Sequence, residues 1–335
     1  MRCTFSFQTF FSVAATALFL AGTPMISGAE KPGETRVAKW KDDKKAAFIL
    51  MFDDSMPSHV KNVIPELKER GLTATFYVNP GKGEWAAFKD KWEKEIPAAG
   101  FEYGNHTFTH KGVKDMADAE EEFGKCNDAI AAVHPELKRP FLISFGTPGV
   151  KQGAWNITDD QVKELQTKHH LIQRLNVNGR FAMIHLKTAE EMLKVVDKNI
   201  ADGGKDCVAF HGVGGEWLSI GLPVFKTFIT GLVEKREQLW IAGHIAVHKY
   251  ETERMSAEVE GVESNATKIS LKLRCKADPQ LYDAPLTLVT QVPAGWNKVL
   301  VAQGAGKTVV ESANNEVKYD ALANGEVITL QPAKD

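Results

Sequence analysis

The chain has 335 residues, of which 43% are hydrophobic and 25% are charged, a composition typical of a globular protein. This length suits one large domain with a small accessory domain. The formal net charge of −2 provides no field that would attract nucleic acid or an anionic membrane, so we expect neither as a partner. A neutral substrate is easier to accommodate than a polyanion.

The N-terminus has the features of a secretory signal peptide. Arg2 precedes an apolar stretch over residues 10–21, and Ser27–Ala29 forms a small-residue cleavage pattern. The alternative is a membrane anchor, but the apolar run is short for a full span. We therefore predict a signal peptide over residues 1–29, a secreted or periplasmic location, and no membrane contact after cleavage.

Short apolar runs then alternate with amphipathic stretches. The β-branched and aromatic content of the runs predicts strands at Ala46–Met51, Leu72–Val78, Phe101–Tyr103, Phe141–Phe145, His170–Val177, Phe181–Leu186, Cys207–Phe210 and Leu239–Ala242. The spacing of apolar residues predicts helices between them at His59–Arg70, Ala117–Val133, Asp159–Lys168, Ala189–Ile200 and Val224–Arg236.

This alternation predicts an α/β fold with a parallel sheet. Roughly seven or eight repeats favour closure into a (β/α) barrel. The alternative is an open doubly wound sheet. No GxGxxG motif follows the first strand, which argues against a dinucleotide site there.

The pattern changes after Val262, where helical periodicity disappears. Short strands separated by turn signals are predicted at Lys268–Lys272, Leu286–Gln291, Lys298–Val301 and Val327–Leu330. We therefore predict a small C-terminal β-sandwich domain over residues 262–335.

Two adjacent carboxylates, Asp53 and Asp54, follow directly after the first buried strand. Carboxylates in this position are costly unless they meet a metal ion or a proton. Both can reach the barrel mouth because the chain turns there, and such barrels hold their active sites at that mouth. The alternative is a solvated turn in which an Asp caps the following helix.

Histidines follow the third predicted strand at positions 106 and 110. On a helical turn, His106 and His110 would be neighbours on one face and could bind one metal ion. A carboxylate from the first strand would complete a site with an open position for water; the alternative is two surface histidines. His244 and His248 have the same spacing but no carboxylate-tipped strand as a partner, so they rank lower.

His211 follows the apolar run Cys207–Phe210 and precedes a glycine-rich loop. A histidine in this position could approach a ligand closely, and the alternative is a polar strand terminus. Trp217 lies shortly after the loop. It could stack on the face of a sugar, or it could simply cover the core.

These motifs resemble three motifs of the polysaccharide deacetylase family, which includes chitin and peptidoglycan deacetylases. They are Phe52–Asp54, His106–His110 and His211, in family order on successive strand ends. The resemblance covers about residues 44–250. It implies a distorted (β/α)7 barrel, which we assign to residues 30–258.

The resemblance also implies a role for each residue. Asp53 is similar to the catalytic base and His211 to the catalytic acid, whereas Asp54, His106 and His110 resemble metal ligands. The implied reaction removes N-acetyl groups from amino-sugar residues of a poly- or oligosaccharide by metal-activated water. The implied partner is an N-acetylated glycan. The implied cofactor is a divalent ion, Zn²⁺ in the first place, with Co²⁺, Ni²⁺ or Mn²⁺ as alternatives.

The chain departs from the family pattern at three places, one of which is the lack of a recognisable Asp–Trp motif. Ser55 replaces the glycine that often follows the two aspartates, and the fourth predicted strand lacks the usual arginine before Pro148. A fixed cation beside the base would keep that carboxylate ionised. Arg174, near the end of the fifth strand, is the best candidate for this cation. The alternative is an outward-facing Arg174 paired with a helix carboxylate.

Two rival functions remain at this stage. One is a non-catalytic carbohydrate-binding protein that kept the barrel, although a binder would need neither Asp53 nor His211. The other is a barrel amidohydrolase that acts on a small cyclic amide. The signal peptide and the additional β domain favour a polymer outside the cell.

Overall fold

The computed structural model describes residues 31–135, 137, 140–175 and 182–333. The predicted signal peptide over residues 1–29 lies outside the described residues, so it stays a prediction. Among the described residues, every helix is too short or too polar to cross a bilayer.

A parallel sheet of seven strands forms the larger part of the described chain. Strands are numbered along the chain, and β1 (Thr35–Val37) belongs to a different sheet. The parallel strands are β2 (Ala46–Asp53), β3 (Thr75–Val78), β4 (Glu102–Asn105), β5 (Ile143–Phe145), β6 (Leu171–Gln173), β7 (Lys205–Phe210) and β8 (Leu239–Ile241). All eight residues of β2 are buried, as expected for a parallel strand that is covered on both faces.

The order of the strands is β6-β5-β4-β3-β2-β7. Strand β7 follows one edge of β2, while the other edge pairs with β8 near its start and with β3 near its end. Strands β6 and β7 end the sheet, and no pairing joins them within the described ranges. The sheet curls into a half-barrel, so the α/β class with a curled parallel sheet is confirmed.

Amphipathic helices cover one face of this sheet. They are α1 (Ile64–Glu69), α2 (Gly83–Ala87), α3 (Ile96–Ala98), α4 (Met116–Val133), α5 (Asp159–Lys168), α6 (Ala182–His185), α7 (Ala189–Asp202) and α8 (Leu222–Glu234). Helix α9 (His244–Met255) packs against the opposite face. A π-helical turn, His59–Val63, leads into α1. Phe48, Leu50 and Phe52 on β2 pack with buried residues of α4, α7 and α8 in one hydrophobic cluster.

One predicted strand was wrong, and some helices and strands were not predicted. The strand predicted at Phe181–Leu186 is a helical turn, α6, in its described part, because a short apolar run does not distinguish a strand from a helix. Helix α9 was not predicted, since its polar composition hides its apolar stripe. The strand β9 (Glu258–Ser264) was also missed, because most of its side chains are exposed.

Two antiparallel sheets follow the half-barrel. One has the order β1-β11-β14 and the other β13-β12-β15-β10-β9. Their remaining strands are β10 (Ile269–Arg274), β11 (Leu286–Gln291), β12 (Lys298–Gln303), β13 (Gly306–Glu311), β14 (Glu316–Ala321) and β15 (Asn324–Pro332). The N-terminal strand β1 therefore completes a sheet whose other strands come from the end of the chain.

A second hydrophobic cluster joins the half-barrel to these sheets. Ile49 and Met51, on the other face of β2, share it with Tyr250 of α9 and with Leu288 and Ile328 of the two sheets. Strand residues alternate faces, so Asp53 points towards the same side as Ile49 and Met51. This face of β2 is therefore closed by α9 and the C-terminal strands rather than by the outer helices.

Glu253 of α9 is a buried carboxyl at this junction. Glu253 is only 2% exposed, and its Oε1 accepts a hydrogen bond from Ala284 N at 2.7 Å. Burial raises the pKa of Glu253 to about 7. The folded protein therefore keeps a proton that the unfolded chain releases near its ordinary pKa of 4.5.

We predict that Glu253→Gln changes how stability depends on pH. Because the folded state binds more protons between the two pKa values, wild-type stability falls as pH rises through this window. Gln does not titrate, so the variant does not lose stability in this way. The free energy of unfolding of the variant minus that of wild type should therefore increase from pH 5 to pH 8, by at most about 3 kcal/mol. Urea unfolding at both pH values measures the difference. Glu234→Gln, an exposed change on α8, is the control; parallel pH profiles for wild type and Glu253→Gln would contradict the prediction.

Candidate metal and active site

The end of β2 places two carboxylates at one mouth of the sheet. Asp54 and Ser55 adopt φ angles of 79° and 51°, a left-handed backbone conformation that residues other than Gly rarely take. This explains why a glycine commonly follows the two aspartates. Here the turn is held by hydrogen bonds from Asp54 N to the carbonyl of Tyr77 at 3.1 Å and from Asn79 N to Ser55 Oγ at 3.0 Å.

The two histidines after β4 are brought together by an irregular turn. Our expectation of a helical turn was wrong: Thr107 and His110 have φ angles of 64° and 60°, and the segment is not helical. Thr107 Oγ1 accepts a hydrogen bond from His110 N at 3.2 Å. The imidazole centroids of His106 and His110 nevertheless lie 4.9 Å apart, close enough for both rings to face one ion.

Asp54, His106 and His110 form a cluster that could hold a metal ion. One ligand atom from each lies within 4.8 Å of the others, and His110 Nε2 is 3.1 Å from Asp54 Oδ1. Asp54 Oδ1 is buried, yet no hydrogen bond of suitable geometry reaches it from the described residues. An orphaned carboxylate oxygen between two imidazoles fits a cation as its missing partner.

The ring of His106 is oriented by the backbone. Its Nδ1 lies 2.6 Å from the carbonyl oxygen of Gly146, which can accept a hydrogen bond from Nδ1–H. Burial lowers the pKa of His106 to about 4, so the imidazole is neutral. Nε2 then carries the lone pair and faces Asp54. Backbone hydrogen bonds of this kind commonly fix the tautomer of a metal-binding histidine.

Asp53 is paired with Arg174, which follows β6. Arg174 Nη1 donates a hydrogen bond to Asp53 Oδ1 at 2.6 Å, and the two side chains are 14% and 2% exposed. Burial alone would raise the pKa of Asp53, but the charge of Arg174 lowers this pKa to about 2. Asp53 is therefore an ionised acceptor beside the metal cluster, and the outward-facing alternative for Arg174 does not occur.

His211 approaches the same cluster from the end of β7. Its Nε2 lies 3.8 Å from Asp54 Oδ2, and its ring meets Trp217 edge to face at a centroid distance of 5.2 Å. Trp217 is 64% exposed, so the indole does not cover the core. The site therefore has an aromatic side chain standing free next to the histidine.

Comparison with known proteins agrees with the resemblance drawn from the motifs. Residues 41–167 match the family model of polysaccharide deacetylases. The matched range contains Asp53, Asp54, His106 and His110 and ends before Arg174, so the family resemblance drawn from the motifs is confirmed.

One curated relative and two solved structures are similar to the chain. A gellan lyase from Bacillus sp. is 23% identical over 322 residues, which is 87% of this chain and 13% of that protein. A family 4 carbohydrate esterase from Streptomyces lividans, solved with acetate, is 16% identical, covers 59% and 92% of the two chains, and has a TM-score of 0.43. A family 4 pseudoenzyme from Bacillus anthracis is 20% identical, covers 61% and 66%, and has a TM-score of 0.42.

The competing pair His244 and His248 lies elsewhere in the half-barrel. His244 Nδ1 is hydrogen-bonded to Ser144 Oγ at 2.8 Å, and His248 Nε2 lies 3.2 Å from Tyr282 OH. No carboxylate joins them in a metal-binding cluster among the described residues.

Several residues near the candidate site were not singled out from the sequence. His59 is fully buried, and its Nε2 lies 2.8 Å from the carbonyl oxygen of His211, where Nε2–H can donate. Asn79 donates to the carbonyls of His106 and Thr107 at 2.6 and 3.0 Å. The available signal was their position: His59 opens the helix after Asp54, and Asn79 directly follows a predicted strand.

We predict that the double substitution His106→Ala, His110→Ala abolishes metal binding. Removing two of three ligands should weaken Zn²⁺ binding by at least about 100-fold. Zn²⁺ titration by calorimetry and metal analysis after dialysis measure the loss. The control is His248→Ala, which removes a histidine of the other pair and should retain the metal. Full metal occupancy in the double variant would rule out this ligand assignment.

Proposed function

We propose that the chain is a secreted, metal-dependent enzyme that removes the N-acetyl group from amino-sugar residues of a poly- or oligosaccharide. The observation that carries this proposal is the arrangement at the mouth of the sheet. An ionised Asp53, held by Arg174, lies beside the Asp54–His106–His110 cluster, and His211 faces the same cluster. Hydrolysis of an amide requires a proton acceptor, an electrophile and a proton donor.

Asp54, His106 and His110 would hold the metal. Two imidazole nitrogens and one carboxylate oxygen suit Zn²⁺ with a position left open, and Co²⁺, Ni²⁺ or Mn²⁺ can accept the same donors. When bound, the ion would polarise the amide carbonyl and lower the pKa of a water molecule towards about 7.

Asp53 would act as the base. Its carboxylate is not needed for the metal because Asp54 supplies the carboxylate ligand. Arg174 keeps Asp53 ionised and restricts its orientation, so its free oxygen can accept the proton of the attacking water. The arginine that is missing after β5 is in this proposal replaced by Arg174, which follows β6.

His211 would act as the acid. As the water oxygen bonds to the carbonyl carbon, the water proton passes to Asp53; the C–N bond then breaks and the nitrogen takes a proton from His211. The products are acetate and a free amine. An amine leaves poorly without a proton, whereas the alcohol of an ester leaves more easily, so a positioned acid favours N-acetyl substrates.

The exposed indole of Trp217 supports a sugar substrate. A flat aromatic surface beside the proton donor can stack on the apolar face of a pyranose ring. The rival function, a carbohydrate-binding protein without activity, would also use Trp217. It offers no reason to bury an ionised aspartate and arginine next to a cluster of metal-ligand type, which costs stability without chemistry to perform.

The organisation of the whole chain supports action on a polymer outside the cell. We propose that residues 1–29 are a signal peptide, that residues 30–258 close into the distorted (β/α)7 barrel of the family, and that residues 262–335 form a small β-sandwich domain. The relative named gellan lyase matches over 87% of this chain. Its name denotes a polysaccharide substrate, which agrees with a glycan as the partner of this chain.

We predict that the protein releases acetate from oligomers of N-acetylglucosamine and that a chelator stops the release. Zn²⁺ added in excess of the chelator should restore it, because the ligand cluster itself is unchanged. Acetate is measured enzymatically, and O-acetylated xylo-oligosaccharides provide the comparison for ester hydrolysis. Release from the esters alone would overturn the amide preference. Binding of the oligomers without acetate release from any substrate would favour the binding protein.

We predict that Asp53→Asn separates chemistry from metal binding. The variant should bind Zn²⁺ as wild type does, and its rate of acetate release should fall by roughly 10²–10⁴-fold because the proton acceptor is lost. Metal analysis and kcat measured on the same preparation test both parts. If Asp53→Asn loses the metal, the two aspartates must exchange roles.

A further inference from the structure

We propose that Tyr77, Ser144 and His244 are positioning residues that hold Arg174 against Asp53 from the interior of the half-barrel. The inference rests on the proposed function, in which Asp53 is the base. Arg174 reaches Asp53 with one nitrogen, and a long side chain needs further contacts to stay in a single orientation. Tyr77 supplies such a contact, and Ser144 and His244 hold Tyr77 in place through a chain of hydrogen bonds.

The ring of Tyr77 forms a platform for the guanidinium. Arg174 Cζ lies 4.7 Å from the centroid of this ring, within the range of a cation–π interaction, which is strongest in desolvated positions. Tyr77 is fully buried. Tyr77 pairs with Asp53 across the β2–β3 ladder. Strand β2 therefore carries the carboxylate, and the adjacent strand β3 carries the ring on which the guanidinium of Arg174 lies.

The hydroxyl of Tyr77 is itself fixed. Tyr77 OH lies 2.8 Å from Ser144 Oγ, and Ser144 Oγ lies 2.8 Å from His244 Nδ1. Ser144 and His244 are 0% and 3% exposed. Burial lowers the pKa of His244 to about 3, so the imidazole is neutral. The chain of hydrogen bonds adds no second positive charge near Arg174.

Two glycines leave just enough room for this stack. A Cβ at Gly146 would lie 3.0 Å from Arg174 Cζ and 3.1 Å from Tyr77 Cδ1, and a Cβ at Gly104 would lie 2.6 Å from Tyr77 Cδ1. The backbone of β4 and of the segment after β5 therefore confines both the ring and the guanidinium. Arg174 N also donates to the carbonyl of Phe145 at 2.8 Å, which fixes the start of the side chain.

The series of hydrogen bonds that starts at Tyr77 ends at the N-terminus of α9. His244 N donates to Thr75 Oγ1 at 2.9 Å, and Thr75 Oγ1 donates to Glu102 Oε1 at 2.8 Å. Glu102 also accepts from Ile245 N with both carboxylate oxygens, at 3.1 and 3.0 Å. The orientation of Arg174 is thus tied to the helix that packs inside the half-barrel.

A purely structural role would require only that each polar atom be satisfied. An apolar set of residues would fill this interior at lower cost, because buried polar groups must all find partners. The polar arrangement is explained if it determines the position of the Arg174 guanidinium. Loss of the Tyr77 ring should then lower the rate of acetate release by displacing Arg174. Loss of the Ser144 hydroxyl should have the same effect to a smaller extent.

The first test observes Arg174 directly in the metal-free protein. The Nε–Hε resonance of Arg174, assigned by its loss in Arg174→Ala, should be shifted by the Tyr77 ring. Tyr77→Leu should remove that shift, and Ser144→Ala should change it in part. Tyr103→Leu is the matched control, since Tyr103 is also buried, at 3% exposure, and belongs to the cluster on the other face of the sheet. It should leave the resonance in place. An Arg174 resonance unaffected by Tyr77→Leu would overturn the proposal whether or not the protein is a deacetylase.

The second test is a double-mutant cycle on the metal-loaded protein. Tyr77→Leu should lower kcat for acetate release by about 10- to 30-fold with KM nearly unchanged, and Ser144→Ala should lower it by about 3-fold. In an Arg174→Ala background, neither substitution should lower kcat further, because the residue through which they act is gone. Additive losses in that background would mean a general structural effect and would overturn the proposal. Tyr77→Phe keeps the ring and should recover most of the activity that Tyr77→Leu loses.

Discussion

Burial of two adjacent carboxylates at the end of β2 is the constraint on which the rest of the site depends. A buried carboxylate costs stability unless a cation or hydrogen bonds compensate for its lost hydration. Asp53 is compensated within the chain by the guanidinium of Arg174. Asp54 is left with an oxygen that no described hydrogen bond satisfies and with two imidazoles beside it. The environments of these two neighbouring carboxylates therefore differ, and this difference supports the proposed roles of Asp53 as proton acceptor and Asp54 as metal ligand.

The elements with strong local signals could be predicted from the sequence. Helix α5 and strand β11 begin and end where the pattern predicts. For α5 the reason is a capping box, in which Thr158 and Gln161 satisfy each other's backbone groups. The candidate metal ligands could be found for a related reason. They lie directly after buried strands, and in a parallel sheet the ends of strands meet at one mouth.

Features that depend on register and on packing between distant segments could not be predicted. The approach of His106 to His110 depends on the left-handed backbone of Thr107 and His110. The four-residue spacing of the two histidines is instead typical of a helical turn. The contact between Tyr77 and Arg174 depends on the pairing of β3 with β2 and on glycines at positions 104 and 146. The sequence ranked His244 as an inferior ligand because no carboxylate-tipped strand accompanies it. It could not place this residue inside the half-barrel, because α9 is recognised as an interior helix only through its tertiary contacts.

Strand β1 has a consequence for how the chain reaches its final form. It is the first described strand to be synthesised, but its partner β11 comes much later, and the paired residues Thr35 and Thr290 are 255 positions apart. Strand β1 therefore stays unpaired until the residues of the entire parallel sheet and of β11 have been synthesised. Closure of so long a loop is slow and entropically costly. The last event of folding is then expected to be the joining of the two ends of the chain, and a protein arrested before it would expose an unpaired strand to its neighbours.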